Sequence, residues 1–240
     1  MIDKLYSIPV IEVFEEDCEC PLCLLHERLE NESVGYCLGP SLMETDQRLE
    51  LNKKGFCKKH FEMLYYSREN ILGLALIIDT HLKSTTEILK NKFSDALKPG
   101  RKKDPELTKL AAYLHDEQSS CAICDKLDAT MKRYIDTMLY LWAKEPDFRI
   151  KFNSGKGFCL YHLAMILDIC GKSLKQDKKD DFLRELFKLQ TENLDRVGED
   201  INWFARKFDY INQDASWKNS RDAVPRSIQK LVGYFRKYSV

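Results

Sequence analysis

The feature that most constrains this chain is a cysteine and histidine motif that occurs twice at nearly the same spacing. In each copy, a Cys-x-x-Cys pair is followed about 34 residues later by Gly-Phe-Cys-x-x-His. The first copy holds Cys20, Cys23, Cys57 and His60, and the second holds Cys121, Cys124, Cys159 and His162. The copies align at an offset of 101 residues, which becomes 102 after one inserted residue. Three thiols and one imidazole complete a tetrahedral ligand set, so the repeat predicts one Cys3His metal site in each half.

Composition favours this interpretation over a disulfide framework. The 240 residues include nine cysteines, carry a formal net charge of zero and are 32% charged. Residues Met1 to Ile11 lack the cationic start and long apolar stretch of a signal peptide. Apolar runs such as Leu74 to Ile78 are too short to cross a bilayer. We therefore expect a cytoplasmic protein without membrane attachment, in which paired cysteines indicate metal or redox chemistry.

Helical periodicity dominates the chain, and strand signals are nearly absent. In the second half an apolar stripe predicts a long helix from Lys179 to Asn212, with Gln190 as its one polar interruption. The stripe contains Leu183, Phe187, Leu194, Val197, Ile201, Phe204, Phe208 and Ile211. A similar stripe in the first half contains Ile71, Ala75, Ile78, Leu82, Leu89, Phe93 and Ala96. These patterns predict an all-α fold.

The repeat also predicts how the chain divides. Lys98 to Pro105 is a basic stretch with two prolines and a glycine, which favours a break between helices. We expect two pseudo-repeated helical units, residues 1–100 and 101–240, the second ending in a C-terminal helix that begins near Pro225. Asp104 is a candidate N-cap for the helix after the break, with Pro105 at the first helical position.

The candidate ligands fall where helices are expected to begin. Pro21 is suited to the first helical position, which makes Cys20 the N-cap. Phe56 and Phe61 flank Cys57 at the spacing of a hydrophobic staple, which makes Cys57 an N-cap as well. The second half repeats this arrangement, and the glycine before each Phe-Cys-x-x-His fits the need for a tight turn there. Positive helix ends lower thiol pKa values and favour the net negative charge of three thiolates and one imidazole on a divalent ion.

Zinc is the expected metal, with two ions per chain, because Cys3His is a common structural zinc set. An iron–sulfur cluster is the alternative, since cysteine also binds iron. A thiol–disulfide enzyme would need a strand-containing fold, which the pattern does not predict. Four protein ligands leave no open coordination position, so a structural role is favoured over catalysis, with the chain acting as a binding or scaffold protein.

A second pair of residues recurs at the same offset. Asp46 and Arg48 correspond to Asp147 and Arg149, just before each Gly-Phe-Cys. Two interpretations remain open. The pairs could be ion pairs at helix ends, or each aspartate could accept a hydrogen bond from the outer nitrogen of a ligand histidine.

The remaining cysteines and histidines have no partner in the repeat. Cys37 and Cys170 are interpreted as buried apolar residues, and Cys18 as a minor candidate for a spare ligand. His26, His81 and His115 are interpreted as ordinary surface or core residues.

Near its C-terminus the chain is basic and aromatic. Between 218 and 237 it contains Lys218, Arg221, Arg226, Lys230, Arg236 and Lys237, against Asp222 alone. Such a segment can bind nucleic acid, but the neutral chain as a whole disfavours it. We interpret the segment as a helix that packs its aromatic residues and solvates its charges, which leaves an unidentified protein as the expected kind of partner.

Three features together resemble a bacterial family of unknown function, the one numbered 6062. They are the opening Cys20-Pro-Leu-Cys23, the two Gly-Phe-Cys-x-x-His motifs, and the closing Asp222-Ala-Val-Pro-Arg-Ser-Ile-Gln-Lys-Leu-Val-Gly233. The resemblance spans nearly the whole chain. It implies the paired motifs and adds no activity or mechanism.

Overall fold

The computed structural model describes residues 4–100 and 103–234, and the predicted all-α fold is confirmed in them. Eleven α-helices and two 3-10 helices occur in these residues, with no strand. The helices are α1 (Lys4–Val13), α2 (Pro21–Leu38), α3 (Thr45–Lys54), α4 (Lys58–Ser67), α5 (Ile71–Leu97), α6 (Lys103–Ser119), α7 (Ala122–Lys144), α8 (Pro146–Ser154), α9 (Leu160–Ser173), α10 (Gln176–Arg206) and α11 (Ala223–Val232). The 3-10 helices are Pro40–Leu42 and Tyr210–Asn212. None of the described helices combines the length and the apolar character that a membrane crossing requires.

The chain forms two compact units that do not follow the sequence repeat. One unit combines Met1–Arg28 with Ala129–Val240 and is called the terminal unit below. The other, Leu29–Asp128, is called the central unit. The predicted boundary at residues 100 and 101 falls inside the central unit, between α5 and α6. The observed boundaries fall inside α2 and α7, where an unbroken helix offers no loop signal to a sequence analysis.

The core of the terminal unit is aromatic. Phe14, just after α1, packs against Phe148 and Phe152 of α8, with ring centroids 4.9 and 6.1 Å apart. Trp142 of α7 meets Phe182 of α10 edge to face at 5.0 Å. The N-terminal residues thus pack directly onto helices from the second half of the chain, which explains why the compact unit is discontinuous in sequence.

Helix α10 buries a different face from the predicted one. The buried residues are Phe182, Leu186, Leu189, Gln190 and Val197. From the predicted stripe only Val197 is buried, and Phe187 is 49% exposed. Apolar residues occupy two neighbouring faces of this helix, so periodicity alone could not select the one that packs. The helix also ends earlier than predicted, at Arg206, before the 3-10 helix Tyr210–Asn212.

The central unit shows a similar displacement. The buried residues of α5 are Gly73, Leu74 and Ile77, whereas Leu82 of the predicted stripe is 61% exposed. Helix α5 contacts α3, α4 and α6, and α6 itself buries no residue among those described. Helix α6 begins at Lys103, before the predicted N-cap.

The predicted C-terminal helix is present as α11, Ala223–Val232. The last part of the basic segment, including Arg236 and Lys237, lies outside the described residues.

Candidate metal centres

The eight candidate ligands gather into two clusters of four, and the ligand atoms of each cluster all lie within 4.8 Å of one another. The terminal cluster is Cys20, Cys23, Cys159 and His162, and the central cluster is Cys57, His60, Cys121 and Cys124. The predicted grouping, in which each half of the sequence supplies all four ligands of one site, is wrong. Each Cys-x-x-Cys joins the Cys-x-x-His of the other half, and each compact unit contains one complete cluster.

Helix starts position the ligands, as the sequence predicts. Cys57 and Cys159 are the N-caps of α4 and α9, while Cys20 and Cys121 directly precede α2 and α7. The predicted staple is also present, since the rings of Phe56 and Phe61 pack at 5.4 Å. Two helix N-termini therefore meet in each cluster, where their partial positive charge favours thiolates.

A glycine with positive φ leads into each Cys-x-x-His, as expected for a tight turn. Gly55 has φ of 62° and Gly157 has φ of 76°, a region that residues with a side chain rarely adopt. A Cβ on Gly55 would also lie 2.7 Å from the ring of His81. Any other residue at Gly55 would therefore strain the turn that aims Cys57 and His60.

Different groups hold these two turns. In the central unit, the backbone N–H of Ala122 donates to the Gly55 carbonyl at 3.1 Å, which ties the two ligand segments together. In the terminal unit, the side chain of Gln190 pairs with both backbone groups of Phe158, at 3.0 and 2.9 Å. The polar interruption in the stripe of α10 is thus a buried amide that holds the turn before Cys159.

The terminal cluster is arranged around the Nδ1 atom of His162. This atom lies 3.5 Å from the Sγ atoms of Cys20 and Cys23 and 3.2 Å from that of Cys159. The Sγ atoms of Cys23 and Cys159 are 3.7 Å apart.

The central cluster has nearly the same dimensions. Nδ1 of His60 lies 3.2 Å from Cys57 Sγ, 3.2 Å from Cys121 Sγ and 3.4 Å from Cys124 Sγ. Cys57 and Cys124 are 3.8 Å apart at Sγ. For a tetrahedral zinc ion, ordinary bond lengths imply separations of about 3.8 Å between sulfurs and about 3.6 Å between sulfur and nitrogen. The spacing in both clusters fits a single four-coordinate ion.

The outer nitrogens of the two histidines have different surroundings. His60 Nε2 lies 3.1 Å from Oε1 of Glu30, a buried carboxylate on α2 that Lys59 also contacts at 2.5 Å. Burial opposes ionisation of Glu30, but the contacts with His60 and Lys59 lower its pKa to about 2. An ionised carboxylate here orients the ring so that Nδ1 faces the thiols. His162 Nε2 is buried, and no described residue hydrogen-bonds to it.

Glu30 is not among the residues that the sequence predicts for either site. The repeat offers no signal for it, because the position 101 residues later is Met131. The carboxylate therefore belongs to one site only, and a search for recurring residues passes over it.

The recurring Asp46 and Asp147 do not take the predicted place beside the histidines. Both are exposed, in the first turns of α3 and α8. In the central cluster the outer nitrogen faces Glu30 instead. The other interpretation, an ion pair with the neighbouring arginine, is not observed among the described residues either, since Arg149 pairs with Glu185. A carboxylate in the first turn is nevertheless favoured by the partial positive charge of the helix N-terminus.

The two arginines of this repeat also differ. Arg48 is exposed, whereas Arg149 forms a bidentate pair with Glu185 of α10, with Nε 3.0 and 3.1 Å from the two carboxylate oxygens. Its guanidinium lies 4.4 Å from the centre of the Trp142 ring. Arg149 thus fastens α8 to α10 in the terminal unit and has no contact of this kind with the cluster.

Charge in the terminal cluster is unevenly shared among the thiols. Contacts with Cys20 and Cys23 lower the pKa of Cys159 well below its usual range. The contact with Cys159 raises the pKa of Cys23 to about 12, and burial raises that of Cys20. Protein groups alone therefore do not keep all three thiols ionised, and a cation among them would supply the missing charge.

The central cluster shows the same division. Burial raises the pKa of Cys121, but the contact with His60 and the backbone N–H groups of Cys124 and Cys57 together outweigh it and lower the pKa to about 6. For Cys124, burial and the neighbouring Cys121 raise the pKa.

The clusters also differ in cover. All four residues of the terminal cluster are buried. Gly233 packs over this cluster, since a Cβ added to Gly233 would lie 3.6 Å from Cys159 Sγ and 3.9 Å from Cys23 Sγ. In the central cluster, Cys57 and Cys124 are only half-buried. The central site is therefore the one that solvent reaches.

The other cysteines and histidines lie outside the clusters. Cys18, His26, His81 and His115 belong to neither cluster, so Cys18 is not brought in as a spare ligand. Cys37 and Cys170 are both 3% exposed, as predicted for small buried apolar residues.

Comparison with curated proteins and with solved structures returns no match. A family model does match, and its description is a family of unknown function (DUF6062). The match covers residues 1–238 and so includes both clusters and all the motifs that carry the resemblance. The chain belongs to this family of unknown function.

Proposed function

We propose that the chain is a metal-binding helical protein with two structural zinc sites, one in each compact unit, and that it acts as a binding or scaffold protein. One observation carries the proposal. In each cluster, three thiols and one imidazole nitrogen converge within 4.8 Å, at the separations that one tetrahedral ion requires.

The structural role follows from the ligand set. Four protein ligands complete the coordination of zinc and leave no position for water or substrate. Each ion would instead fasten two helix starts that are distant in sequence. Apparent zinc binding of about 10–16 kcal/mol in small domains is large beside a typical folding stability of about 5–15 kcal/mol. Metal binding would therefore contribute much of the stability of each unit.

The spacing of the thiols supports a single ion over the iron–sulfur alternative. A cluster places several iron and sulfide atoms between its cysteine ligands, whereas Cys23 and Cys159 are 3.7 Å apart and Cys57 and Cys124 are 3.8 Å apart at Sγ. Among first-row ions, zinc is the usual occupant of a closed Cys3His set.

We also propose a cytoplasmic location. All nine cysteines are free thiols, and six of them lie in the two clusters, where they must stay reduced to bind metal. A reducing compartment meets that condition.

Elemental analysis of anaerobically purified protein tests the proposal. We expect about two zinc per chain and no visible absorption band. Cys57→Ser and Cys159→Ser should each lower the zinc content to about one per chain, because each change removes one ligand from a different cluster. Cys18→Ser is the matched control, since this half-buried thiol lies near the terminal cluster in sequence but outside it.

Two outcomes would contradict the proposal. Iron together with an equal amount of sulfide, in place of zinc, would show that the sites hold iron–sulfur clusters. An unchanged zinc content in both variants would show that Cys57 and Cys159 are not ligands.

A further inference from the structure

A cavity of about 410 Å³ in the terminal unit has a strongly basic lining. It is lined by residues just before α2 and just after α8, by the middle of α10, and by the segment that leads into α11 together with the first turn of that helix. Five of its lining residues are cations: Lys156, Arg196, Lys218, Arg221 and Arg226. Three of them belong to the basic segment near the C-terminus, and the fold adds Lys156 and Arg196 from two other stretches of sequence.

Three carboxylates also line the cavity, and each of them is paired. Arg226 donates from Nη1 to Asp200 at 2.9 Å and from Nη2 to Asp222 at 2.8 Å. Arg196 donates from Nη2 to Glu19 Oε2 at 2.6 Å. The carboxylates thus hold the two inner arginines in place, and the arginines neutralise them in turn.

Two further charged groups, Asp17 and Lys230, lie just outside the lining. Asp17 pairs with Lys156, and the buried Lys230 lies 3.2 Å from Glu19 Oε2. They add one charge of each sign, so the cations around the cavity exceed the carboxylates by two. The excess corresponds to Lys218 and Arg221, neither of which has a carboxylate partner among the described residues.

The segment that carries these two cations is fixed by its own contacts. Lys218 has φ of 50°, one of two positive values among the described residues that are not glycine. A residue with a side chain is strained in this region, and such a conformation persists where its surroundings hold it. Here Ser220 is fully buried and donates to the Trp217 carbonyl at 2.7 Å. Below the segment, Lys207 donates from Nζ to the Asn212 carbonyl at 2.7 Å.

We propose that this cavity binds a phosphate group, either inorganic phosphate or the phosphate of a small monoester. Lys218 and Arg221 would supply the uncompensated charge, which matches a dianion. Arg226 already donates from Nη1 to Asp200 and from Nη2 to Asp222 and the Asn219 carbonyl, so the guanidinium of Arg221 would supply the donors. Guanidinium groups recognise phosphate with paired N–H donors. The size of the cavity suits a small ligand. None of the eight metal-ligand candidates lines this cavity, so the site is distinct from the metal clusters.

Isothermal titration calorimetry on the full metal-containing chain tests the proposal, with inorganic phosphate and glycerol 3-phosphate as probes in chloride buffer. We expect saturable binding that weakens as NaCl rises. Arg221→Ala and Lys218→Ala should each weaken it at least about tenfold, which corresponds to about 1.4 kcal/mol. Lys188→Ala is the matched control, because Lys188 is an exposed cation on α10 outside the cavity.

Lys218→Gly separates charge from folding. Glycine accepts the positive φ without strain, so this variant should fold as stably as the parent and still lose phosphate binding. The two probes distinguish the sources, since a preference for glycerol 3-phosphate points to an esterified ligand.

Three outcomes would overturn the proposal: no binding of either probe, binding that Arg221→Ala leaves unchanged, or binding lost equally in Lys188→Ala. A single-stranded oligonucleotide that binds through Arg221 while neither small probe binds would also overturn it, in favour of a nucleic-acid surface.

Discussion

The terminal and central clusters have the same four ligand types and nearly the same dimensions, but their surroundings differ. The terminal cluster is buried on all four residues and covered by Gly233, and its histidine has a buried outer nitrogen without a described partner. The central cluster is half-exposed at two cysteines, and its histidine is oriented by Glu30. One motif has therefore produced two sites that are held in different ways.

This difference teaches what a ligand motif does and does not specify. The motif determines ligand type and the local turn, because both depend on neighbouring residues. How far solvent reaches the cluster, and which group hydrogen-bonds to the ligand histidine, depend on helices elsewhere in each unit. We expect the terminal site to retain its metal through burial and the central site through its carboxylate.

The largest expected effect concerns which motifs share an ion. Cys23→Ser combined with Cys159→Ser should remove one zinc per chain, because both residues belong to the terminal cluster. Cys23→Ser combined with Cys57→Ser should remove both, because these residues belong to different clusters. Zinc content measured by mass spectrometry of purified protein checks both results. The opposite result would restore the grouping by sequence half.

The second largest effect is expected from removing the carboxylate of Glu30, which should lower the metal affinity of the central site alone. Glu30→Ala leaves the outer nitrogen of His60 without its acceptor, and loss of such a partner typically weakens metal affinity about 10–100-fold. Competition with a chromophoric chelator measures the affinity of each site, and only the central one should change.

Glu62→Ala is the matched control for that experiment, since Glu62 is an exposed carboxylate on the same helix as His60. If Glu30→Ala and Glu62→Ala had the same affinity, the carboxylate would have no part in metal binding.

A substitution at the turn before Cys159 should affect the stability of the terminal unit alone. Gln190→Ala would leave both backbone groups of Phe158 without partners in a buried position, which costs about 1–3 kcal/mol each time such a group is orphaned. We expect a lower free energy of unfolding by urea, together with an unchanged central site.

Gln176→Ala provides the reference, because Gln176 is exposed on the same helix and its side chain donates a hydrogen bond to Asp180. Equal stability of the two glutamine variants would show that the turn is held by other contacts.

The smallest expected effect is kinetic. A soluble chelator should remove the central zinc first, about tenfold faster, because a local opening that costs about 1.4 kcal/mol is enough for that ratio. Stopped-flow absorbance with a zinc indicator would resolve two phases. Cys57→Ser, which keeps only the terminal zinc, should lose the fast phase. A single phase, with both zinc ions released at the same rate, would show that the two sites are equally accessible to the chelator.

Much of the candidate site could be predicted from local sequence. The helix starts at Cys57 and Cys159 followed from the hydrophobic staple and from a glycine turn, both of which act within a few residues. The buried face of α10 could not be predicted, because Phe182 and Leu183 are equally apolar and only packing distinguishes them. Glu30 and Gln190 could not be assigned roles, since each acts on a segment about 30 residues away.

By itself the sequence determined the eight candidate ligands, the all-α fold and the short turns that precede each Cys-x-x-His. These depend on residue type, capping and backbone conformation, which are local properties. Only the tertiary structure decided that the Cys-x-x-Cys of each half meets the Cys-x-x-His of the other. Both copies of each motif are chemically equivalent, so the exchange depends on which helices pack together to bury the core of each unit.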